Sequence, residues 1–263
     1  MRSKIKNVGP QPENVEVMKS VTLARTNFPV GGYVLAGGRS SRMGTDKALL
    51  QLAGNPLIHH AVTKLRRVSA DVHILGSNPA LAAYAPLVPD LHPGCGPLGG
   101  IEAALGHSPH PWNLFLAVDM PFLPTAFIRA ALSQWLPSED ISAEAAPRIC
   151  LFTAGDRPQP GFCLIHKEIA PFLSQAIARG DFKLLRALEA AGRELALRHG
   201  IAPEANLQKL PATAIALPAS TATLPAWCSI TPAQRDAQPL WFANLNTPED
   251  FAEAETRAGA LDV

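Results

Sequence analysis

Apolar residues in the first half of the chain fall into short continuous runs separated by stretches with helical spacing. Tyr33 to Ala36, Val72 to Leu75, Leu87 to Val88 and Asn113 to Val118 are runs of the first kind, closed by Gly, Pro or Asp, as strands buried on both faces are. Between them, Leu57, Ile58, Ala61, Val62, Leu65 and Val68 share one face of a helix, and Pro97 to Leu105 reads as another with proline in its first turn. Strand and helix alternate. The pattern predicts an α/β fold: a largely parallel sheet with helices on both faces and ligands at the carboxyl ends of its strands.

The second half is less regular. Thr125, after Pro124, is placed as the N-cap of a helix running to Leu136, and residues 137–147 form a loop rich in Ser, Glu and Ala. Arg148 to Thr153 and Phe162 to His166 read as two strands joined by A-G-D-R-P-Q-P-G, either an antiparallel element or a return over the site. Ile169 to Arg179 and Lys183 to Ala191 are amphipathic helices, with Asp181 as N-cap of the second. Leu195 to Gln238 is rich in Ala, Pro and Thr and too long for an ordinary connection, so it is expected to be a lid, a partner site or a largely disordered insertion, with Trp227 and Ile230 as anchors. Thr247 as N-cap, Pro248 at the first helical position and Asp250 in the first turn then start a final helix.

Composition narrows the class. The 263 residues, 47% hydrophobic and 17% charged, are those of a globular chain with a substantial core. A net charge of +1 leaves no broad basic face for nucleic acid, so positive potential must be local. Cys95, Cys150, Cys163 and Cys228 are far apart with no C-x-x-C, which disfavours a zinc ribbon or disulfide framework and suits a reducing cytoplasm. No H-E-x-x-H occurs, so His59 and His60 read as helix residues and a zinc hydrolase is disfavoured. Residues 1–29 are polar, without a secretory apolar core, and read as a flexible arm or the product of an upstream start codon. No segment is long enough to span a bilayer. The expected organisation is therefore the arm, then one domain over 30–263 with its insertion at about 195–238.

The chemistry concentrates in V-L-A-G-G-R-S-S-R-M-G-T-D-K-A-L-L, Val34 to Leu50. Gly37 and Gly38 follow a strand, where successive backbone N–H groups make an anion-binding hollow, and Arg39, Arg42 and Lys47 add cations suited to a nucleoside triphosphate. Alone, a Gly-Gly would be only a tight turn. Gly44 is followed by Thr45, Asp46 and Lys47, so this is not a Walker A loop. Gly94 to Gly99 matches G-x-G-x-x-G, with Asp119 about twenty residues on, yet D-L-H-P separates the first glycine from the preceding strand and Pro97 lacks an amide hydrogen. Asp119 emerges from the end of the most clearly buried strand, opposite the glycine loop; it is placed either to hold Mg²⁺ on nucleotide phosphates or to cap the following turn.

The same loop, followed by G-N-P-L-I-H-H of Gly54 to His60, closely resembles the signature of the molybdenum cofactor guanylyltransferases. The similarity is strong over residues 31–133 and looser over 157–191 and 241–255. It implies a single Rossmann-like nucleotidyltransferase domain that condenses GTP with molybdopterin, or its molybdenum-loaded form, to give the guanine dinucleotide and pyrophosphate. By that resemblance Leu35, Ala36, Gly37 and Gly38 hold the nucleotide, and Arg42, Lys47 and Asp119 are catalytic, with Asp119 on Mg²⁺. Pro97, Leu98 and Gly99 shape the base pocket and Asp90 selects guanine. Asp90 is otherwise a turn residue. Gly76 stands where some members carry a nucleoside-contacting asparagine, which makes Asn78 the substitute. Arg157 and Gln159, in an R-x-x-P segment, are secondary candidates for the pterin or simply turn residues, and G-D-F-K-L-L-R-A-L lies where the pterin phosphate must reach. The ending N-x-N-T-P-E-D brings Asn246 to the active centre and leaves Asn244 to local turn bonding. The implied partners are GTP, the pterin, other proteins of cofactor synthesis and apo-molybdoenzymes, with a cytoplasmic, monomeric chain that meets neither nucleic acid nor membrane. The rival readings are a cytidylyl- or sugar-phosphate nucleotidyltransferase, and a non-catalytic nucleotide-binding adaptor that delivers the cofactor.

Overall fold

The computed structural model describes residues 27–37, 46–137, 146–215, 217 and 226–262. Strand β1 (Phe28–Leu35) is followed by a short 3-10 helix (Lys47–Leu49) and a small hairpin of β2 (Gln51–Leu52) and β3 (Asn55–Pro56). Then come α1 (Leu57–Arg66), β4 (Ser69–Leu75), β5 (Leu87–Val88), α2 (Pro97–His107), β6 (Trp112–Ala117) and α3 (Thr125–Trp135). The second half supplies β7 (Ile149–Ala154), β8 (Arg157–His166), α4 (Ala170–Ala178), α5 (Leu184–His199), β9 (Leu207–Pro211), α6 (Pro232–Asp236) and α7 (Pro248–Thr256).

The main sheet has the order β5-β4-β1-β6-β8-β7-β9. β5, β4, β1 and β6 pair in parallel; β8 runs against both β6 and β7, and β9 is again parallel to β7. The strands alternate in pleat: Val34, Leu114 and Leu116 face one core with α1 and α3, while Tyr33 and Phe115 face the other with α2 and α4. From β1 the chain passes α1 and moves to β4 and β5; from β5 it crosses by α2 on the opposite face to β6 on the other flank of β1. The order reverses between β1 and β6, and a ligand crevice belongs at their carboxyl ends.

The structure corrects three local expectations. Thr125 is not the N-cap of α3; Pro124 holds that position, and the N–H and Oγ1 of Thr125 both donate to Asp262 Oδ2, at 2.8 and 2.6 Å, a carboxylate brought from the far end of the chain. Asp181 does not cap α5, whose N-cap is Lys183; its carboxylate grips the Arg186 guanidinium instead. The segment expected as an insertion is substantially built into the domain. α5 continues to His199 and ends on Gly200 in the left-handed region (φ 66°), Leu207–Pro211 becomes the edge strand β9, and α6 starts with a capping box from Thr231 and Gln234. Phe28 and Pro29, expected at the end of the arm, already belong to β1, while residues 1–26 and most of the 137–147 loop lie outside the described residues.

Candidate active site

The crevice is built from backbone first. Val118 N–H donates to Leu35 O at 3.2 Å, which ties the exit of β6 to the end of β1, and Gly76 N–H donates to Val88 O at 3.1 Å. Leu35 and Ala36 are half-buried and Gly37 is exposed. A Cβ on Gly76, whose φ is 143°, would lie 3.8 Å from Gly37 N, so the ends of β1 and β4 approach each other as bare main chain. Glycine suits the backbone conformation at Gly76, while a side chain there would make only an ordinary contact with Gly37. Gly38 and Arg42 fall outside the described residues.

Asp46 then anchors the segment that carries Lys47. Its Oδ1 accepts from Ala48 N–H at 3.0 Å, capping the 3-10 helix, and its Oδ2 accepts from Asn78 Nδ2 at 2.5 Å. With Ala48 fully buried beneath, the backbone of Lys47 is fixed. The ammonium of Lys47 donates to Asp119 Oδ2 and to Asn246 Oδ1, each at 2.7 Å. Residues 72 and 199 positions apart in sequence thereby meet at one point.

Asp119 and Asn246 are held independently of Lys47. Leu245 N–H donates to Asp119 O at 3.1 Å, clamping the C-terminal segment onto the turn after β6. The Asp250 carboxylate accepts from Asn246 N–H at 2.6 Å and Thr247 N–H at 2.8 Å, while Asp250 N–H donates to Thr247 Oγ1 at 3.2 Å. Those backbone donors, with the Lys47 charge nearby, hold the Asp250 carboxyl below the usual carboxylate range. On its other side, α7 receives Ala53 N–H on Glu255 Oε1 at 2.9 Å, which joins it to the hairpin just after Lys47. The arrangement is a cradle of oxygen acceptors at strand ends, beside open backbone, with a cation in it.

Residues 32–195 match the family model described as the MobA-like NTP transferase domain. The chain belongs to that family. Within it, the chain is 35% identical to the molybdenum cofactor guanylyltransferase of Serratia proteamaculans over 169 residues, 62% of this chain and 81% of that one. It is 31% identical to the molybdenum cofactor guanylyltransferase of Rhizobium johnstonii over 238 residues, covering 88% and 94% of the two chains. Among solved structures, molybdopterin-guanine dinucleotide biosynthesis protein A from Archaeoglobus fulgidus superposes with a TM-score of 0.61 at 24% identity, over 86% of this chain and 97% of that one. The 2-C-methyl-D-erythritol 4-phosphate cytidylyltransferase from Thermus thermophilus gives 0.50 at 15% identity, over 88% and 98%. These likenesses establish an α/β nucleotidyltransferase fold.

As a MobA-like NTP transferase domain, the chain shows its second cluster at the start of α2. Asp90 lies against the first turn of that helix: a Cβ on Gly99 would sit 3.9 Å from its Cγ, and one on Gly100 would sit 3.5 Å from Oδ1. Burial pushes the Asp90 carboxyl up. Pro97 is exposed, but the Leu98 side chain is fully buried in the core, which leaves only the main chain of Leu98 to line a pocket. Asn78 has both ends engaged, its Nδ2 on Asp46 and its Oδ1 accepting from Ala80 N–H at 3.0 Å. Arg157 is exposed, and Gln159 Nε2 donates to Arg157 O at 3.2 Å.

Two features of the site escaped the sequence. Asp250 is legible as a helix-start residue, yet its grip on Asn246 N–H depends on the turn geometry. β8 carries a bulge: Leu151 pairs with Cys163 but Phe152 pairs with Gln159, so residues 160–162 are extra. There a Cβ on Gly161 would come within 3.1 Å of Met120 Cε and 3.2 Å of Ala117 Cβ, so β8 packs tightly against the turn that presents Asp119. The signal was P-Q-P-G within a strand, where proline and glycine mark a bulge.

No group of three or more His, Cys, Asp or Glu side chains is arranged to hold a metal among the described residues. Magnesium needs less when phosphates and water complete its shell. Asp119 fits that use, with Oδ2 facing Lys47 and Asn246 Oδ1 beside it.

Proposed function

We propose that this protein transfers GMP from GTP to the terminal phosphate of molybdopterin, giving the guanine dinucleotide cofactor and pyrophosphate. The observation that carries the reading is the convergence of Lys47, Asp119 and Asn246 at the switch point of the sheet. The names of the relatives above support the guanine and pterin identities. A phosphate oxygen of the pterin attacks the α-phosphorus of GTP, the bond from that phosphorus to the α,β-bridging oxygen breaks, and the electron pair leaves with pyrophosphate. The nucleophile is already anionic, so no general base is required.

The chain contributes position and charge. Main chain at Leu35 to Gly38 cradles the phosphates, Lys47 and Arg42 neutralise the departing pyrophosphate, and Asp90, Pro97, Leu98 and Gly99 receive the base. Arg157 and Gln159 face the pterin. Asp119 holds magnesium, which when bound supplies charge neutralisation at the α-phosphate. Asp250 acts as a positioning residue through Asn246.

No helix of the described residues is long and apolar enough to cross a membrane, and all four cysteines are buried and unpaired. The proposed setting is a monomer working in the cytoplasm, supplied with pterin by other biosynthetic proteins and delivering product to apo-molybdoenzymes. The test is pyrophosphate release with purified chain, magnesium, GTP and molybdenum-loaded molybdopterin. Release that requires the pterin supports transfer; tight GTP binding without release identifies a non-catalytic adaptor instead.

A further inference from the structure

We propose that in the nucleotide-free protein the Lys47 ammonium occupies the metal's own place, so that a divalent cation enters with the nucleotide and not before it. The inference rests on the assignment of Asp119 as metal ligand made above. Lys47 Nζ sits 2.7 Å from a carboxylate oxygen and 2.7 Å from an amide oxygen, which are the hard oxygen donors that magnesium or manganese would take.

The cradle and its occupant differ in how firmly they are held. Asp119 is pinned through its carbonyl by Leu245 N–H, and Asn246 through its N–H by Asp250. Lys47 has a fixed backbone but reaches the cradle on a flexible four-carbon stem with rotatable donors. With all three backbones held, the acceptors sit on short side chains, and the Asn246 amide also donates to Asn244 O at 3.3 Å, so the ammonium on its longer stem is the part freest to move. A metal arriving alone must displace a cation already satisfied by Asp119, and then sits beside that cation's charge. A triphosphate changes the balance, since its oxygens offer Lys47 a more highly charged partner and release the Asp119 oxygen. The same lysine thus guards the cradle first and serves the leaving pyrophosphate afterwards.

Mn²⁺ is the probe, its free concentration read by electron paramagnetic resonance during titration into the full chain. Wild type, Lys47→Met and Lys47→Gln are compared with and without α,β-methylene GTP, which cannot react. Because one substitution is apolar and the other polar, misfolding of either leaves the other as the test. Without nucleotide, both variants are expected to bind Mn²⁺ about fivefold or more tightly than wild type. In wild type, the nucleotide should restore tight binding. Equal affinities in wild type and both variants without nucleotide overturn the proposal. Asp119→Asn separates that failure from a wrong metal assignment: if Mn²⁺ binding in the nucleotide complex survives Asp119→Asn, the metal is not held by Asp119, and both the assignment and the inference fall. If it is lost there while Lys47 substitution changes nothing, only the inference falls.

Discussion

Removing the ammonium of Lys47 separates its two roles by magnitude. In Lys47→Ala the ion pair to Asp119 and the bond to Asn246 are lost, both at 2.7 Å, between side chains of Lys47 and Asp119 that are 17% and 20% exposed. At that exposure solvent screens the pair, and its loss costs about 1 kcal/mol of stability, or a fall of ~2–4 °C in Tm for a chain of this size. In the proposed reaction the same group faces charge that develops only as pyrophosphate leaves. Losing one such preorganised donor lowers turnover by about 10²–10³, or ~3–4 kcal/mol. The catalytic loss should therefore exceed the stability loss severalfold. Pyrophosphate release at saturating GTP and pterin, measured beside a thermal melt of the same sample, reads both. A Tm that falls by more than about 10 °C, with residual activity following the folded fraction, would refute the reasoning and make Lys47 a structural residue.

Other perturbations test the supports. Asp250→Ala removes the capping box and frees Asn246 N–H, so Tm should fall slightly while kcat drops about 10-fold or more; a change confined to Tm would leave Asp250 as a cap alone. Gly161→Val forces a branched side chain against Ala117 and Met120, with an expected cost of ~1–3 kcal/mol in urea unfolding and a lowered kcat from displacement of the Asp119 turn; wild-type kcat would show that the turn is insensitive to β8. Asp262 is buried and accepts from Lys64 Nζ, both donors of Thr125 and Gln234 Nε2, so Asp262→Asn strands a buried lysine at a cost of about 3–5 kcal/mol at pH 7. Burial opposes the Asp262 charge, but Lys64 and the Thr125 donors outweigh it and hold the carboxyl below its ordinary value. Its contribution to stability is therefore present above the unfolded-state pKa and is lost as pH falls through the lowered folded one. Urea unfolding from neutral to acid pH should fall more steeply for wild type than for Asp262→Asn, and parallel curves would contradict that linkage.

The parallel half of the fold was legible because strands buried on both faces read as continuous apolar runs, as at Val72 to Leu75 and Asn113 to Val118. β9 was not: Leu207–Pro211 is half-exposed at a sheet edge, and L-Q-K-L-P carries no apolar run. The helix α5 was expected to end at Ala191; its last turn, with Leu197, Arg198 and His199 exposed, was hidden by the same cause. Thr125 has the chemistry of an N-cap, yet it sits one residue inside its helix and is bonded by a carboxylate 137 positions away. Local propensity cannot anticipate such a partner. At the site, Lys47 and Asp119 followed from position, one on the glycine loop and one at a strand end, and Asn246 followed from resemblance. Their convergence required tertiary packing, and so did the pinning of Asn246 by Asp250.

Base choice tests the central claim most directly. Pyrophosphate release is measured from GTP and from CTP, each with magnesium, in the presence and absence of molybdenum-loaded molybdopterin. The account predicts release from GTP alone, and only when the pterin is present. Release from CTP, or pterin-independent release from either nucleotide, would contradict it.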